Sequence, residues 1–464
     1  MNIYNTLTKK IEKFTPNEEG LVRMYTCGPT VYHYAHIGNL RTYIFEDILE
    51  KGLEYLGYNV LRVMNITDVG HLTSDADDGD DKMLLASARE KKTVYEIAEH
   101  YTNEFFKDAA KLNVRKPSIV EKASDHIDTY INMIQKMIDD GYAYLSNGNV
   151  YFDITRVNDY YLLSGKNPDD LMIGVRETVE EDTHKRNPGD FVLWFTTSKF
   201  ENQDMKWDSP WGIGYPGWHI ECSGISGKYL GEYLDIHCGG IDNIFPHHTN
   251  EIAQSEAYFG HKWCNYWVHG EHLNDQSGKM SKSKGEFLTV SLLEEKGYNP
   301  LSYRYFCLNS HYRNQLTFSW EALDSAENAY NKLRNKIKLL DRTPNLSDKK
   351  LDYYQDKFKD AIGNDLNTSS MITLVYDVLK DDELSDFTKL YLIDDFDKVL
   401  SLGLIAEEKE ISSELEEMIM VKIEERNLAK KNKDFALADN IRDELFQKGV
   451  KLIDSRDGTT YELI

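Results

Sequence analysis

The sequence lacks the cysteine pattern of a disulfide-stabilised protein. It has five cysteines in 464 residues, and none of them forms a Cys-x-x-Cys pair. An odd count in a long chain that shows no export signal argues against a disulfide framework. The cysteines are therefore buried thiols or metal ligands, and the composition alone leaves both open. They are Cys27, Cys222, Cys238, Cys264 and Cys307.

Long apolar segments are also missing. No apolar run reaches the roughly 20 residues that a membrane-spanning helix needs. The segment from Met1 to Phe14 is polar and charged, unlike a secretory signal. We therefore predict a cytoplasmic protein without membrane contact, and we expect a monomer.

Positive charge is scarce. Lysine and arginine number 54 against 78 aspartate and glutamate residues, which gives a net charge of −24. This sign argues against a nucleic-acid partner, although a local basic surface can still hold phosphates. Two basic groups in the last third are candidates, and each is equally well explained as a solvated helix face. They are Lys332, Arg334, Lys336, Lys338 and Arg342, and then Lys430, Lys431 and Lys433 beside Phe435.

The apolar pattern near the N-terminus predicts a parallel sheet. Leu21–Cys27 and Val60–Ile66 have the pattern of strands, and Asn39–Leu56 between them has helical spacing. A strand, a helix and a strand in this order form a βαβ unit. Further predicted elements are helices over Leu85–Leu112, Ser124–Ile138 and Thr249–Tyr258 and a strand over Tyr233–His237.

The remaining segments differ in character. Asn149–Ser209 is turn-rich and acidic, which indicates an insertion and not a continuation of the sheet. From Ser319 onward the pattern is almost wholly helical, apart from a short tail over Val450–Leu463. The predicted fold class is therefore α/β: a Rossmann-like parallel-sheet domain with an insertion, followed by an α-helical C-terminal region.

His36-Ile37-Gly38-Asn39 lies where the first strand leads into its helix. Unpaired backbone N–H groups at a helix start carry partial positive charge and suit a phosphate. Gly38 would allow close approach to the backbone, and His36 could donate a hydrogen bond to a phosphoryl oxygen. A plain loop with a surface histidine explains these four residues slightly better when they are taken alone.

A second motif runs from Lys279 to Ser283 in the stretch DQSGKMSKSKGEF. Lys279 and Lys282 on one loop could neutralise a polyphosphate leaving group. A solvated basic turn is the common alternative.

A third cluster combines GWHIECS with DIHCGGIDNIFPHHTNEIAQS. Thiolate, imidazole and carboxylate together form a zinc ligand set. His247 and Glu251 are four residues apart, so they would share one face of a helix. Spacing alone does not choose four ligands, and the residues by themselves suggest Cys222, Cys238, His247 and one more.

In this order, the three motifs resemble those of class I aminoacyl-tRNA synthetases and, more narrowly, the cysteinyl-tRNA synthetase family. His36–Asn39 matches the family's HIGH motif, and Lys279–Ser283 matches its KMSKS motif. Segments particular to the cysteine enzyme also match, namely YTCGPTVY, NITDVGH, DFVLW, PGWHIECS and FPHHTNEIAQS. The likeness runs from about Asn2 through SHYRNQLTFS and continues more weakly through the helical tail.

The resemblance implies roles for particular residues. One zinc ion would be held by Cys27, Cys222, His247 and Glu251. Thr67 and Trp218 would line the amino-acid pocket. ATP, with Mg²⁺, would contact Gly28, His33, His36, Gly38, Asn39, Asp242, Lys279 and Lys282, and the catalytic contacts would come from His36, Asn39, Lys279 and Lys282.

Three positions depart from the family pattern. Asn39 stands where the HIGH motif has its second histidine; asparagine still donates a hydrogen bond but cannot become cationic. Thr249 stands where glutamate is common, and Cys238 where glycine is usual. We expect the ligand set to survive these changes and Cys238 to be a small filler residue.

The resemblance implies ATP-dependent activation of L-cysteine to cysteinyl-adenylate and its transfer to the terminal ribose of tRNA(Cys). Zinc would bind the substrate thiolate and exclude serine, which would make an editing domain unnecessary. The expected segments are two halves of a Rossmann-like catalytic domain (1–114 and 208–275, the second with the zinc site), a connective insertion (115–207), a KMSKS loop and stem-contact region (276–320), a tRNA-binding helical bundle (321–405) and an anticodon-binding domain (406–464).

Two alternatives remain at this point. One is a ligase that activates cysteine but passes it to a small aminosugar, as in mycothiol synthesis; such enzymes resemble the front portion. The tail sequence KKNKDFALADNIRDEL favours tRNA, because it resembles the anticodon end of the synthetase. The other is a non-catalytic zinc module that binds nucleic acid, against which the nucleotide motifs speak.

Overall fold

The structure is a computed structural model, and the residues that it describes fall into two compact units. The described residues are 1–69, 82–165, 184–196, 205–275, 278–279, 287–347, 350–405, 413–432, 434–447, 450–455 and 458–463. The units are Met1–Ile405 and Ala406–Ile464. Within these described ranges, no helix combines the length and the apolar character that crossing a bilayer requires.

The strands and helices alternate in the front of the chain, and helices dominate the back. The strands are β1 (Asn2–Asn5), β2 (Lys10–Lys13), β3 (Leu21–Thr26), β4 (Asn59–Ile66), β5 (Ile119–Lys122), β6 (Ala143–Ser146), β7 (Asn149–Phe152), β8 (Phe191–Phe195), β9 (Tyr215–Pro216), β10 (Leu234–Gly240), β11 (Cys264–Gly270), β12 (Leu273–Asp275), β13 (Gly278–Lys279), β14 (Leu316–Thr317), β15 (Val450–Ser455) and β16 (Gly458–Leu463). The helices are α1 (Ile37–Tyr55), α2 (Lys82–Glu90), α3 (Val94–Lys111), α4 (Ile127–Asp139), α5 (Trp218–Leu230), α6 (His247–Phe259), α7 (Val290–Glu295), α8 (Pro300–Leu308), α9 (Trp320–Lys338), α10 (Leu351–Gly363), α11 (Thr368–Lys380), α12 (Asp386–Leu400), α13 (Ser413–Lys431) and α14 (Phe435–Gln447).

A five-stranded parallel sheet forms the centre of the first unit. Its strand order is β11-β10-β3-β4-β5, and every neighbouring pair is parallel. This confirms the predicted α/β class with a Rossmann-like sheet. Ile119–Lys122, which lies inside the range predicted as the insertion, forms an edge strand of this sheet. Its four residues are too few to show the alternation that would identify a strand in the sequence.

Helix α1 begins at Ile37, two residues before the predicted start at Asn39. His36 accounts for the earlier start, because its side chain accepts a hydrogen bond from the Asn39 backbone N–H and caps the helix. Gly57, at φ +95°, follows the C-terminal end, where glycine adopts this conformation without strain. The apolar face of α1, including Leu40, packs in the same core as the helical bundle.

The single helix predicted over Leu85–Leu112 is two helices, α2 and α3. Lys91 has φ +56°, which ends α2, and Thr93 then caps α3. The Thr93 side chain accepts from the Glu96 N–H, and the Glu96 carboxylate accepts from the Thr93 N–H. This is the capping box S/T-x-x-E, a signal that was present in the sequence.

The turn-rich segment after α4 has its own antiparallel sheet, in the order β6-β7-β8-β9. It is separate from the parallel sheet, in agreement with the prediction that this segment does not continue it. Phe152 and Trp194 are fully buried in a core shared with α4 and α5. The described part of the segment is thus a small β-layer beside the parallel sheet.

The back of the first unit is a helical bundle that includes α9 to α12. Phe358 of α10 stacks on Phe396 of α12 with ring centroids 4.2 Å apart. Arg304 of α8 connects α1 with the bundle: its Nη2 is 2.7 Å from Asp47 Oδ2 of α1, and its Nε donates to the Leu400 carbonyl at the end of α12 at 2.7 Å. The second unit contains α13 and α14 with the β15–β16 hairpin, and Ile419, Ile441, Leu445 and Val450 form its small core.

Candidate functional site

The predicted site residues gather at the carboxyl edge of the parallel sheet. Cys27 follows β3 and Thr67 follows β4, while His237 is the central residue of β10. Strands β3 and β10 are neighbours, and from this point the chain continues outward in both directions. Ligands of open α/β sheets bind in the crevice at such a switch point.

Four side chains meet there with one ligand atom each within 4.8 Å of the others: Cys27, Cys222, His247 and Glu251. Cys222 lies in α5, and His247 and Glu251 lie one turn apart in α6. His247 Nε2 is 3.0 Å from Glu251 Oε1 and 3.5 Å from Cys222 Sγ. Such separations suit ligands around one ion with bonds of about 2.0–2.3 Å.

Burial governs the electrostatics of this cluster. Glu251 is 0% exposed, and burial raises the pKa of its carboxyl group well above the usual range. Burial likewise raises the pKa of the Cys27 and Cys222 thiols. The protein interior thus disfavours the anionic forms, which a divalent cation at their centre would stabilise. Two sulfurs, an imidazole and a carboxylate fit zinc.

Further imidazoles contact these candidate ligands. His237 Nε2 is 2.8 Å from Glu251 Oε2, and His248 Nε2 is 3.2 Å from Cys27 Sγ. Burial lowers the pKa of His237 to about 3, so its ring is neutral at physiological pH. Cys27, His237, His248 and Glu251 form a second possible ligand group. Geometry alone therefore does not choose between two overlapping sets.

His219 supports the candidate ligand His247 from the other side. Its Nδ1 is 2.9 Å from His247 Nδ1. A metal-bound imidazole commonly uses its second nitrogen for such a hydrogen bond, which fixes the orientation of the ring. The Trp218 ring stacks on His247 with centroids 4.1 Å apart.

Cys238, which the residue pattern also offered as a ligand, belongs to neither ligand group of the described residues. It alternates along β10 with His237, so the two side chains point to opposite faces of the sheet. Cys238 is fully buried in the core cluster that contains Ile236 and Val268. This placement agrees with its expected role as a small filler.

The residues of the HIGH-like motif form a capping box at the start of α1. The Asn39 N–H donates to His36 Nδ1 at 3.1 Å, and the His36 N–H donates to Asn39 Oδ1 at 3.3 Å. Asn39 therefore has a structural role, because its side chain accepts a backbone hydrogen bond at the start of α1. A Cβ on Gly38 would lie 2.9 Å from His36 Nδ1, so the glycine makes room for the histidine ring.

Arg41, one turn into α1, is a residue that sequence reasoning missed. Arg41 is 4% exposed, and its guanidinium donates to backbone carbonyls in the segments just before β12 and before β14. These acceptors are the carbonyl oxygens of Glu271, His272, His311 and Asn314. Nothing in the sequence distinguished this arginine from a solvated one, because its acceptors are backbone atoms far along the chain.

Of the two residues expected in the amino-acid pocket, Trp218 stacks on the candidate ligand His247, and Thr67 follows β4, the neighbour of the strand that leads to Cys27. Thr67 is buried and accepts from Asn65 Nδ2 at 3.0 Å. The Gly28 N–H donates to Asn65 Oδ1 at 2.8 Å, and a Cβ on Gly28 would lie 1.5 Å from the Asn65 carbonyl oxygen. Only glycine fits there, which fixes the turn directly after Cys27.

The other predicted nucleotide contacts are partly described. His33 packs edge-on against Phe287 at 4.6 Å, and Asp242 Oδ1 is 3.2 Å from His272 Nε2. Lys279 ends β13, which pairs with β12. Lys282 lies outside the described residues, so its placement stays a prediction.

The change from glutamate to Thr249 leaves the cluster intact. Thr249 is buried in the first turn of α6, and its hydroxyl donates to the Ile244 carbonyl at 2.7 Å. His247 and Glu251 on the same helix keep the geometry given above. The threonine therefore anchors the loop before α6.

The two basic groups lie on separate units. Lys332, Lys336 and Lys338 are exposed on α9, whose opposite face packs in the core. In the second unit, Lys431 is exposed and Phe435 is 63% exposed, while Lys433 lies outside the described residues. Whether these groups contact nucleic acid stays a prediction.

Comparison with known proteins gives concordant matches. Residues 13–328 match the family model described as tRNA synthetases class I (C) catalytic domain. The cysteine–tRNA ligase of Treponema denticola is 46% identical over 100% of this chain and 99% of its own length. That of Borrelia hermsii is 44% identical over 99% and 98%.

A solved structure shows the same fold at low identity. Mycobacterium tuberculosis methionyl-tRNA synthetase in complex with methionyl-adenylate has a TM-score of 0.56 and 14% identity, over 82% of this chain and 91% of that chain. This likeness supports the fold alone.

Proposed function

Because this chain belongs to the cysteine–tRNA ligase family of class I aminoacyl-tRNA synthetases, we propose that it activates L-cysteine with ATP and transfers it to tRNA(Cys). The observation that carries the proposal is the cluster Cys27, Cys222, His247 and Glu251 at the same sheet edge as the His36 helix start. Family membership makes the chain an enzyme, a cysteine–tRNA ligase, and does not favour the binding-module alternative.

Selectivity for cysteine would come from the four-ligand cluster. Cys27, Cys222, His247 and Glu251 would hold zinc, which when bound supplies a coordination position that prefers a thiolate over a serine hydroxyl. Trp218, stacked on His247, and Thr67 would line the pocket for the rest of the amino acid. His237, which contacts Glu251 Oε2, would hold that carboxylate in place.

The chain's residues would promote activation mainly by position and charge. The cysteine carboxylate attacks the α-phosphorus of ATP, which arrives with Mg²⁺, and pyrophosphate leaves. His36 and the N-terminus of α1 would stabilise the α-phosphate as negative charge develops. Gly28, His33 and Asp242 would position the nucleotide. Gly38 and Asn39 would keep His36 in its place.

Lys279 and Lys282 would neutralise the departing pyrophosphate. Lys279 follows β12, whose flanking carbonyls are bound by Arg41 of α1. The two nucleotide motifs are thereby linked through one buried side chain. The ribose hydroxyl of the tRNA end, at the 2′ position in this class, would then attack the activated carbonyl.

Exchange of pyrophosphate into ATP tests the activation step. We expect exchange that depends on cysteine and is not supported by serine, in protein whose zinc content is measured in the same sample. Absence of cysteine-dependent exchange in folded, zinc-loaded protein would contradict the proposal.

The acceptor is tested separately. We expect charging of tRNA with a GCA anticodon and no transfer to an aminosugar. The curated relatives match along the whole chain, including the second unit, and this supports a tRNA acceptor. Transfer to the aminosugar with background charging of tRNA would favour the mycothiol-type ligase instead.

The lysine motif has an internal control. We expect Lys282→Ala to slow adenylate formation much more than it weakens cysteine binding, because the charge acts on the leaving group. Lys284→Ala removes a positive charge two residues further along. Equal losses in the two variants would indicate a general charge effect and not a specific role for Lys282.

We also propose that the enzyme works in the cytoplasm as a monomer. Light scattering of the purified protein tests whether it is a monomer, and a measured mass equal to two chains would contradict this.

A further inference from the structure

A continuous series of hydrogen bonds leads from Cys27 to the N-terminal hairpin, which is formed by β1 and β2. His248 Nε2 is 3.2 Å from Cys27 Sγ. On the other side of this ring, His248 Nδ1 is 2.8 Å from His269 Nε2. His269 Nδ1 is in turn 2.7 Å from the hydroxyl oxygen of Thr6. The roles proposed above for the synthesis reaction do not include His248, His269 or Thr6.

Rigid elements hold the members of this series. The Thr6 N–H donates to the Trp267 carbonyl at 2.8 Å, which fixes the end of the hairpin on β11, the strand that carries His269. His248 is 0% exposed, and Gly239 leaves the space for its ring, since a Cβ there would lie 2.8 Å from His248 Cε1. The order of contacts is therefore set by the fold.

Proton positions along the series can be deduced from these contacts. His269 is buried, and its two ring nitrogens face the Thr6 hydroxyl and the His248 ring, so a neutral imidazole with a single proton satisfies both contacts. If Thr6 donates its hydroxyl proton to Nδ1, the ring proton is on Nε2 and points at His248 Nδ1. The His248 proton must then be on Nε2, facing the sulfur of Cys27.

The reverse order is incompatible with a metal-bound sulfur. In that order His269 donates to Thr6, His248 donates to His269, and a lone pair of His248 Nε2 faces Cys27. With the ion held by Cys27, Cys222, His247 and Glu251, His248 is not a ligand, so only a protonated thiol could satisfy that lone pair, whereas a cysteine that binds metal is a thiolate. A thiolate at Cys27 therefore requires the first order, in which Thr6 donates to His269, His269 donates to His248, and His248 donates to the sulfur.

We propose that Thr6, through His269, holds His248 as an N–H donor to the sulfur of Cys27, and that this contact sets the strength with which the sulfur binds the metal. All three are positioning residues. The inference rests on the proposed function in one respect, that the ion is held by Cys27, Cys222, His247 and Glu251, so that Cys27 is a ligand and His248 is not. A hydrogen bond to a thiolate withdraws electron density from the sulfur, and partners of this kind stabilise and orient ligands.

Cobalt(II) substitution provides a readout other than activity. We expect the sulfur-to-cobalt charge-transfer band of Thr6→Val to move to lower energy, because a sulfur without its N–H donor gives up electrons more easily. His269→Phe, which removes the donor to His248, should move the band further. Its dissociation constant for zinc, from competition with a chelator, should rise by about 10-fold, within the range of roughly 10–100-fold for partners of metal ligands.

Thr8→Val is the matched control in the same hairpin. The Thr8 hydroxyl donates to the Asn5 carbonyl at 3.4 Å and also hydrogen-bonds the Glu12 carboxylate, and neither partner belongs to the series from Thr6 to Cys27. A band for Thr6→Val that coincides with that of Thr8→Val would overturn the inference, and this variant decides if His269→Phe fails to fold. If the unaltered protein takes up neither zinc nor cobalt, the proposed metal site fails together with it. Normal metal uptake with unshifted bands overturns this inference alone.

Discussion

The candidate metal cluster and the start of α1 are neighbours at one sheet edge, but they are built in opposite ways. The cluster takes side chains from three places in the chain, after β3, from α5 and from α6; those from the two helices are buried, and Cys27 is half-buried. The helix start is local: His36, Gly38 and Asn39 lie within four residues and contact one another. The first depends on the whole fold, whereas the second is contained in one turn of helix.

This difference predicts that the two parts fail differently. A change in the cluster removes one of four donors around a buried centre, so its effect should be large and confined to metal and cysteine. A change at the helix start should affect the nucleotide and leave the metal in place. The following experiments test that separation.

The largest effect is expected from Cys222→Ser. A serine hydroxyl stays protonated at neutral pH, so we expect zinc affinity to fall by more than the roughly 100-fold upper range for losing a hydrogen-bond partner of a ligand. The Michaelis constant for cysteine should rise with it. Cys264→Ser is the control, because Cys264 is buried but belongs to neither ligand group. Unchanged zinc content in Cys222→Ser would defeat the ligand assignment.

His36→Ala should slow adenylate formation by about 100- to 1,000-fold, as removal of one donor to a developing oxyanion does. Zinc content should stay the same. His36→Asn keeps a side-chain acceptor at the helix N-cap and so separates helix capping from phosphate contact. Loss of zinc in His36→Ala would show that the two parts are not independent.

Gly38→Ala should destabilise the protein by about 1–3 kcal/mol, because the new methyl group would overlap the His36 ring. In a His36→Ala background the same change should become neutral or favourable, since alanine suits a helix better than glycine by about 1 kcal/mol. Urea unfolding of the four proteins gives the coupling. Additive effects would mean that Gly38 does not serve His36.

The smallest effect is expected from Asn39→Ala. It removes one half of the capping box, worth about 0.5–1.5 kcal/mol for a typical hydrogen bond. Thermal unfolding should shift slightly, and Asn39→Gln, which keeps an amide, should restore most of the loss. An exchange rate as low as that of His36→Ala would instead give Asn39 a direct part in the reaction.

The sequence predicted local features well. The βαβ pattern led to the parallel sheet, because strand and helix periods are written in neighbouring residues. The α1 region was placed within two residues of its true start. The sequence prediction missed the end of one helix and the start of the next at Thr93, although the Thr93–Glu96 capping box signals it. It also missed β5, because four residues are too few to show strand alternation.

The candidate site was predictable only in part from the residues. The types of side chain predicted a zinc site but did not exclude Cys238 as a ligand. The structure shows that residues of β10 alternate between the two faces of the sheet and that Cys238 lies in the core. The ligand set came from family resemblance, and the geometry brings those four atoms together while allowing a second group. Arg41 could not be found, because its acceptors are more than 200 residues away in sequence, and neither could His269, whose partners His248 and Thr6 are 21 and 263 residues away.

The hydrogen bonds of Arg41 also indicate which positions of the chain should tolerate substitution. Its four acceptors are main-chain oxygens, which every amino acid possesses. As far as this contact is concerned, the acceptor positions are free to vary, whereas the arginine has no substitute with the same fork of donors. In a saturation library we expect the segments around β12 to accept many residues and position 41 to accept almost none.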